Sequence, residues 1–227
     1  MGLASERRVL DIAQAVLAKN QGLADQNRAI FRQKGIFVLN VVSSPGSGKT
    51  ALLEKTLDAL SGEMQVGVVV GDLETDNDAV RMQGRGARVL QINTDGYCHL
   101  EANMVAASAE KLGLDELDLL VVENVGNLVC PSTHDLGEDD RVTLISVTEG
   151  EDKPLKYPSL FKTSQAVVVT KVDLAEAVEF DRETCLQNIR DVAPQARLLE
   201  VSAKRGNGLG PWLDYLREQI RDKKRSL

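Results

Sequence analysis

Cysteine is scarce in this chain: Cys98, Cys130 and Cys185 are the only three among 227 residues. So odd and sparse a set excludes a disulfide scaffold and leaves packing, redox or metal roles. Histidine is rarer still, represented by His99 and His134 alone. Nor is there an excess of positive charge, because 27 Lys and Arg stand against 34 Asp and Glu for a net charge of −7. A protein that lived by neutralising phosphodiester backbones would be poorly served by that balance, and no nucleic-acid partner is expected. Long apolar runs are missing as well. Ile36 to Leu39 and Val66 to Val70 are strand-sized, far short of the roughly 18 residues of a spanning helix, so no membrane association is expected. The N-terminal MGLASERRVLDIAQAV has arginines with only helical periodicity behind them. It does not read as a secretory signal, and the expected location is cytoplasmic.

No Pro/Gly/Ser-rich linker and no internal repeat divides the chain, and 43% apolar residues suffice for a packed core. Residues 5–33 read as helical, with Val9, Ile12, Ala13, Val16 and Leu17 on one face and Gly22 as a candidate break. From Ile36 onward, apolar runs alternate with amphipathic segments. The runs are IFVLNVV, MQVGVVV, ARVLQI, LDLLVV, VTLISV, AVVVT and RLLEV. The intervening helices are expected from Lys49, after Thr75, and around 100–111, 155–163, 176–192 and 209–223. Such alternation predicts an α/β fold, a mostly parallel sheet with helices on both faces. We read residues 1–34 as an N-terminal helical extension and 35–227 as one domain. The basic tail RDKKRSL reads as solvated cations at a helix end.

The segment SSPGSGKT, Ser43 to Thr50, lies between a strand and a good helix former run, the context a phosphate-binding loop needs. Backbone N–H groups of Gly46, Ser47, Gly48 and Lys49 can turn around a β-phosphate, and the following helix N-terminus adds positive potential. Lys49 would bridge the β- and γ-phosphates and Thr50 would ligate Mg²⁺, with no other basic residue evidently placed to meet the phosphates. Ser43 replaces the first Gly of the usual template.

The base is indicated downstream, in AVVVTKVDL. Asp173 can accept two hydrogen bonds from the N1–H and amine of guanine, a pair adenine does not offer, while the stem of Lys171 lies along the base. Thr170 stands where Asn is commoner. VSAKRG, with Ser202, Ala203 and Lys204, follows another strand and matches a loop whose amides meet guanine O6. The expected nucleotide is therefore GTP. Two acidic segments are candidates for the switch machinery. Glu123 in VVENVGN is the first choice for Mg²⁺ or its bound water, with Gly126 donating to the γ-phosphate. Asp72 and Asp76 in GDLETDND divide between that role and helix capping, since Thr75 and Asp78 fit a capping box.

Cys98 and His99 are adjacent in INTDGYCHLEA, and Cys130 follows the candidate γ-phosphate sensor in NVGNLVCPSTHD. Thiolate and imidazole suit Zn²⁺ and Ni²⁺, but two Cys and one His do not close a tetrahedral site. A two-fold dimer would bring two such sets together. His134 is a less certain further ligand, and Cys185 is assigned to packing.

Together these segments, with EGEDKPLKYP from Glu149 to Pro158, resemble the HypB family, the nickel-incorporation GTPases of NiFe-hydrogenase maturation in the SIMIBI class of P-loop proteins. The resemblance covers nearly the whole chain. It implies a GTP-hydrolysing metallochaperone that dimerises with nucleotide, holds Ni²⁺ or Zn²⁺ at the interface through Cys98, His99 and Cys130, and passes nickel to a maturation protein or to the hydrogenase large subunit. It also implies Ser43 in the phosphate loop. The Cys-rich nickel motif or His-rich tract of many members is not matched here, so reliance on the interface site alone is expected. The nickel GTPase of urease maturation is a poorer match, because Ser132 follows Cys130-Pro131 where that family has a His. A P-loop small-molecule kinase would need an acceptor pocket and would have no use for TKVD.

Overall fold

Seven strands build one sheet in the computed structural model, which describes residues 2–72, 77–94 and 96–227, with side chains from Gln14 onward. The strands are β1 (Phe37–Ser43), β2 (Val66–Asp72), β3 (Ala87–Asn93), β4 (Leu119–Glu123), β5 (Asp140–Ser146), β6 (Ala166–Thr170) and β7 (Arg197–Val201), each at an expected apolar run. Their spatial order is β3-β2-β4-β1-β5-β6-β7, and every neighbouring pair is parallel. The helices are α1 (Gly2–Gln33), α2 (Lys49–Leu60), α3 (Asn77–Met82), α4 (Ala102–Leu112), α5 (Lys153–Lys156), α6 (Pro158–Lys162), α7 (Arg182–Val192) and α8 (Leu209–Arg225).

Strand side chains alternate between two covers, which is why the runs are continuously apolar. Phe37, Leu39 and Val41 of β1 join Leu53, Leu57, Trp212 and Leu216 of α2 and α8. Val38, on the other face, packs with Phe31 of α1 and Val105 and Ala109 of α4. Further along that sheet, Val167 and Val169 meet Phe161 and Ile189. Trp212 Nε1 donates to Thr56 Oγ1 at 2.8 Å, tying α8 to α2.

The structure departs from the expected pattern in four places. The first is α1, which runs unbroken through Gly22. Val16 and Leu17, expected on its inner face, are 50% and 38% exposed, while Val9, Ile12 and Ala13 fall outside the described side chains. The buried face is Asn20, Ala24, Asn27 and Phe31, a helical spacing that apolar periodicity misses because two of the four are asparagines. Asn20 Oδ1 accepts from Ala102 N at 2.9 Å, and Asn27 Nδ2 donates to Ala102 O at 2.8 Å and to Leu136 O at 3.0 Å. The second is the 155–163 helix, which divides into α5 and α6. Pro158 lacks an N–H and pushes Tyr157 out of the helical region, to φ −124° and ψ 49°. In the third, α7 begins at Arg182 rather than near 176, where Asp181 caps it by accepting from Thr184 N at 3.0 Å. Finally, the basic tail folds back instead of facing water throughout. Lys224 pairs with Asp118 at 2.6 Å, and Lys223, its side chain 10% exposed, pairs with Asp139.

Because all strands run the same way, the segments after β1, β2, β4, β6 and β7 gather at one edge of the sheet, where parallel sheets bind ligands.

Candidate functional site

At the centre of that edge, β1 ends at Ser43 and the chain turns through Gly46 (φ 72°) and Gly48 (φ 98°) before α2 begins at Lys49. Left-handed angles at both positions call for glycine. Lys49 is buried, and its Nζ donates to Ser43 Oγ at 2.9 Å. Burial lowers the Lys49 pKa, against the raising influence first of Glu123 and then of Asp78, Glu149 and Asp72. Glu123 sits at the end of β4, paired in register with Val41 of β1. Its Oε1 accepts from Thr50 Oγ1 at 2.8 Å, whereas its Oε2 is buried without a hydrogen-bond partner among the described residues. Burial raises this carboxyl to about 7, with Lys49 and the Thr50 hydroxyl pulling the other way. A buried carboxylate with an orphaned oxygen beside a threonine hydroxyl is an oxygen donor set of the kind Mg²⁺ takes.

A recess of about 410 Å³ opens over these groups and is lined also by Asp72, Asp78 and Arg81. Arg81 was not anticipated from the sequence: Lys49 is not the sole cation facing the recess. Arg81 donates to Glu54 at 2.6 Å and to Asp78 at 3.3 Å. Its spacing of three from Asp78 on a short helix was the available signal. Asp76 and Thr75 lie outside the described residues. Gly126 is not required by a positive φ but by proximity, since a Cβ there would stand 3.1 Å from the Pro45 backbone. The segment after β4 therefore rests directly on the phosphate loop.

On the other side of β1, Thr170 Oγ1 donates to Ser47 O at 2.6 Å and Lys171 Nζ to Gly46 O at 2.6 Å. Lys171 adopts a left-handed backbone, φ 56°, uncommon for a side-chain-bearing residue. Thr170 thus braces the phosphate loop instead of reaching outward. Asp173 accepts from Ser202 Oγ at 2.5 Å, an interaction that lowers its pKa, and Arg205 N donates to the same Ser202 Oγ at 3.1 Å. Lys171, Asp173, Ala203 and Lys204 enclose a recess of about 210 Å³ floored by Ala51 and Leu52. The two loops expected to read a base are therefore fixed to each other.

The third grouping is Cys98, His99 and Cys130, whose donor atoms all lie within 4.8 Å of one another. Both cysteines are free thiols, with Sγ atoms 2.6 Å apart, and Cys98 Sγ is 3.7 Å from His99 Nδ1. His134 stacks on His99 with ring centroids 3.7 Å apart, but its Nδ1 faces Cys130 O at 2.9 Å, so it borders the donor set without joining it. His99 Nε2 is buried with no partner among the described residues, and burial, followed by His134, lowers the pKa of the ring. A neutral imidazole and two thiols suit a borderline-soft divalent ion and leave a tetrahedral shell one donor short. Cys185 is buried in α7, its thiol pushed up to about 12 by burial, as a packing residue should be.

The raised Glu123 carboxyl has a consequence for stability. A carboxyl raised by folding contributes its full stability below its unfolded value and loses it as pH climbs through the folded one, here about 7. Between about pH 5 and pH 8 the nucleotide-free protein should lose up to about 3 kcal/mol that Glu123→Gln does not lose. Urea unfolding of both proteins across that range measures the gap; parallel curves would contradict the assignment.

Residues 37–200 match the model of the CobW/HypB/UreG nucleotide-binding domain. The hydrogenase maturation factor HypB of Escherichia coli K12 is 47% identical over 95% of this chain and 74% of its own length. The crystal structure of HypB from Helicobacter pylori in complex with nickel superposes with a TM-score of 0.86 at 38% identity, covering 91% of this chain and 97% of that one. The signal recognition particle 54 kDa protein of Aeropyrum pernix, in complex with GDP, shares the fold alone, at 18% identity and a TM-score of 0.57 over 82% of this chain and 49% of that one. The chain belongs to the CobW/HypB/UreG family of nucleotide-binding proteins and, within it, to the HypB hydrogenase maturation factors.

Proposed function

We propose that this chain is a GTP-hydrolysing metallochaperone that takes up nickel at a nucleotide-dependent homodimer interface and hands it to a maturation protein or to the hydrogenase large subunit. The observation that carries this reading is the Thr50 to Glu123 hydrogen bond, because the strand end it engages continues through Gly126 to Cys130. Nickel as cargo is supported by the nickel complex of the Helicobacter pylori relative and by the soft donor set here. Zn²⁺ suits the same donors.

The roles follow from the chemistry of each group. Gly46, Ser47 and Gly48 offer backbone N–H groups to the phosphates, and the Lys49 ammonium neutralises the β- and γ-oxygens. Thr50 and Glu123 would hold Mg²⁺, which would supply charge neutralisation to the phosphates when bound. Asp72 lines the same recess and positions water or Mg²⁺ from the end of β2; Asp76 shares that proposed role. Asp173, supported by Ser202, accepts the guanine N1–H and amine, Lys171 lies along the ring, Thr170 braces the loop, and Ala203 and Lys204 present amides to O6. Cys98, His99 and Cys130 hold the nickel, and a second copy completes the shell. Among the described residues no helix is long and apolar enough to cross a membrane.

Two measurements check this. Nickel titration with a non-hydrolysable GTP analogue should give roughly 5- to 150-fold tighter binding than with GDP, the span of ordinary coupling energies. Dimer mass should appear under the first condition, and a Cys98→Ala, Cys130→Ala double variant should lose the metal while keeping GTP; equal affinity in both states would contradict a switch. Separately, Asp173→Asn exchanges a double acceptor for one acceptor and one donor, so it should weaken GTP and favour xanthosine triphosphate. An unaltered preference would move the base site elsewhere.

A further inference from the structure

Four buried polar side chains are hydrogen-bonded in a row that starts at Asn124, on the margin of the phosphate recess, and ends beside the turn that carries Cys130. Asn124, directly after Glu123, is 1% exposed. Its Oδ1 accepts from Val125 N at 2.9 Å and from Leu100 N at 3.4 Å, so it grips the backbone one residue beyond His99. Its Nδ2 donates to Asn40 Oδ1 at 3.2 Å, on β1. Asn40, fully buried, donates in turn to Glu138 Oε1 at 3.0 Å. The same oxygen accepts from Arg141 Nη2 at 2.8 Å and from Nε at 3.1 Å. The buried guanidinium of Arg141 then donates to Ser132 O at 3.4 Å and His134 O at 3.2 Å, the carbonyls of the turn that begins at Cys130.

Placing two asparagines and an ion pair in an apolar core is costly unless each is fully bonded, and removing one member leaves its neighbour unsatisfied. The four side chains form one continuous hydrogen-bonded row from the end of β4 across β1 to β5. Its two ends coincide with the two segments that carry the metal donors, and its hub is adjacent to the carboxylate at the phosphate end.

We propose that Asn124, Asn40, Glu138 and Arg141 form one positioning relay that sets the Cys98–His99 and Cys130 segments relative to each other and to the end of β4. The proposal rests on the reading of Cys98, His99 and Cys130 as a metal site. Asn124 acts on the first segment directly through Leu100 N. Arg141 acts on the second through the Ser132 and His134 carbonyls. Neither touches the metal; both orient the groups that do.

The test is nickel(II) titration of the full chain without nucleotide, read by thiolate-to-nickel charge-transfer absorption, for the parent, Arg141→Lys, Asn124→Asp and the combined variant. Arg141→Lys keeps a cation beside Glu138 but loses the fork to the carbonyls. Asn124→Asp keeps the acceptor for Leu100 N but loses the donor to Asn40. Each should lower nickel affinity by roughly 10-fold or more, the usual effect of removing support from a metal ligand, and should shift the band. The combined variant should lose less than the product of the two, because both cut the same chain. A parent with no such band would refute the metal-site reading and the relay with it. A parent with the band, beside an Arg141→Lys protein that melts cooperatively and matches it in affinity and spectrum, would refute the relay alone, as would effects that multiply independently. Should Asn124→Asp not fold, Arg141→Lys decides by itself.

Discussion

Glu123 is held out of water at the end of β4 with one oxygen on the Thr50 hydroxyl and the other without a partner among the described residues, and burial raises its carboxyl to about 7. Its position is dictated by the pairing of β4 with β1, which sets Glu123 beside Val41 and brings the chain that follows onto the phosphate loop at Gly126. A carboxylate so placed responds to any cation or proton that enters the recess, because the orphaned oxygen leaves it much to gain. Asn124, the next residue, is bonded to both β1 and Leu100. The candidate phosphate and metal groupings thus adjoin one short stretch of backbone, from Glu123 to Cys130.

The rest of the edge is held by bonds of its own. Thr170 and Lys171 fasten the loop after β6 to Ser47 and Gly46, and the bond from Ser202 to Asp173 fastens the loop after β7 to it. The base end is therefore a fixed frame. On the opposite side of β1 the recess is bordered by Asp72, Asp78 and Arg81, with Arg81 occupied by Glu54 and Asp78. Lys49 lies between the two, its ammonium disfavoured by burial and sustained chiefly by Glu123.

The seven strands were legible because a strand buried on both faces must be apolar throughout, and the phosphate loop because its glycines, lysine and threonine act through local geometry. The three candidate metal donors, Cys98, His99 and Cys130, stood out as scarce residue types in suggestive loops. That they converge, with donor atoms inside 4.8 Å, is a property of the topology and could only be expected. What escaped was polar and internal. The inner face of α1 is carried by Asn20 and Asn27, the core of β1 contains Asn40, and Arg141 is buried in β5. Polar residues at such positions look solvent-facing in a sequence: the partners of the asparagines are far away along the chain, and the near partners of Arg141, Glu138 and the Ser132 and His134 carbonyls, meet it only through a loop whose path the sequence does not give. The break at Pro158 could have been read in advance from the missing N–H, and the start of α7 from the capping Asp181.

Nickel release timed against hydrolysis is the most direct examination of a nucleotide-switched carrier. The protein is loaded with nickel and with GTP and Mg²⁺ in the presence of a colorimetric chelator, and phosphate release and loss of the thiolate-to-nickel absorption are followed in one sample. If the end of β4 couples the two sites, the absorption should decay with the rate constant of phosphate release and should persist when a non-hydrolysable analogue replaces GTP. An absorption that survives complete GTP consumption, or that decays equally fast with the analogue, would contradict the coupling.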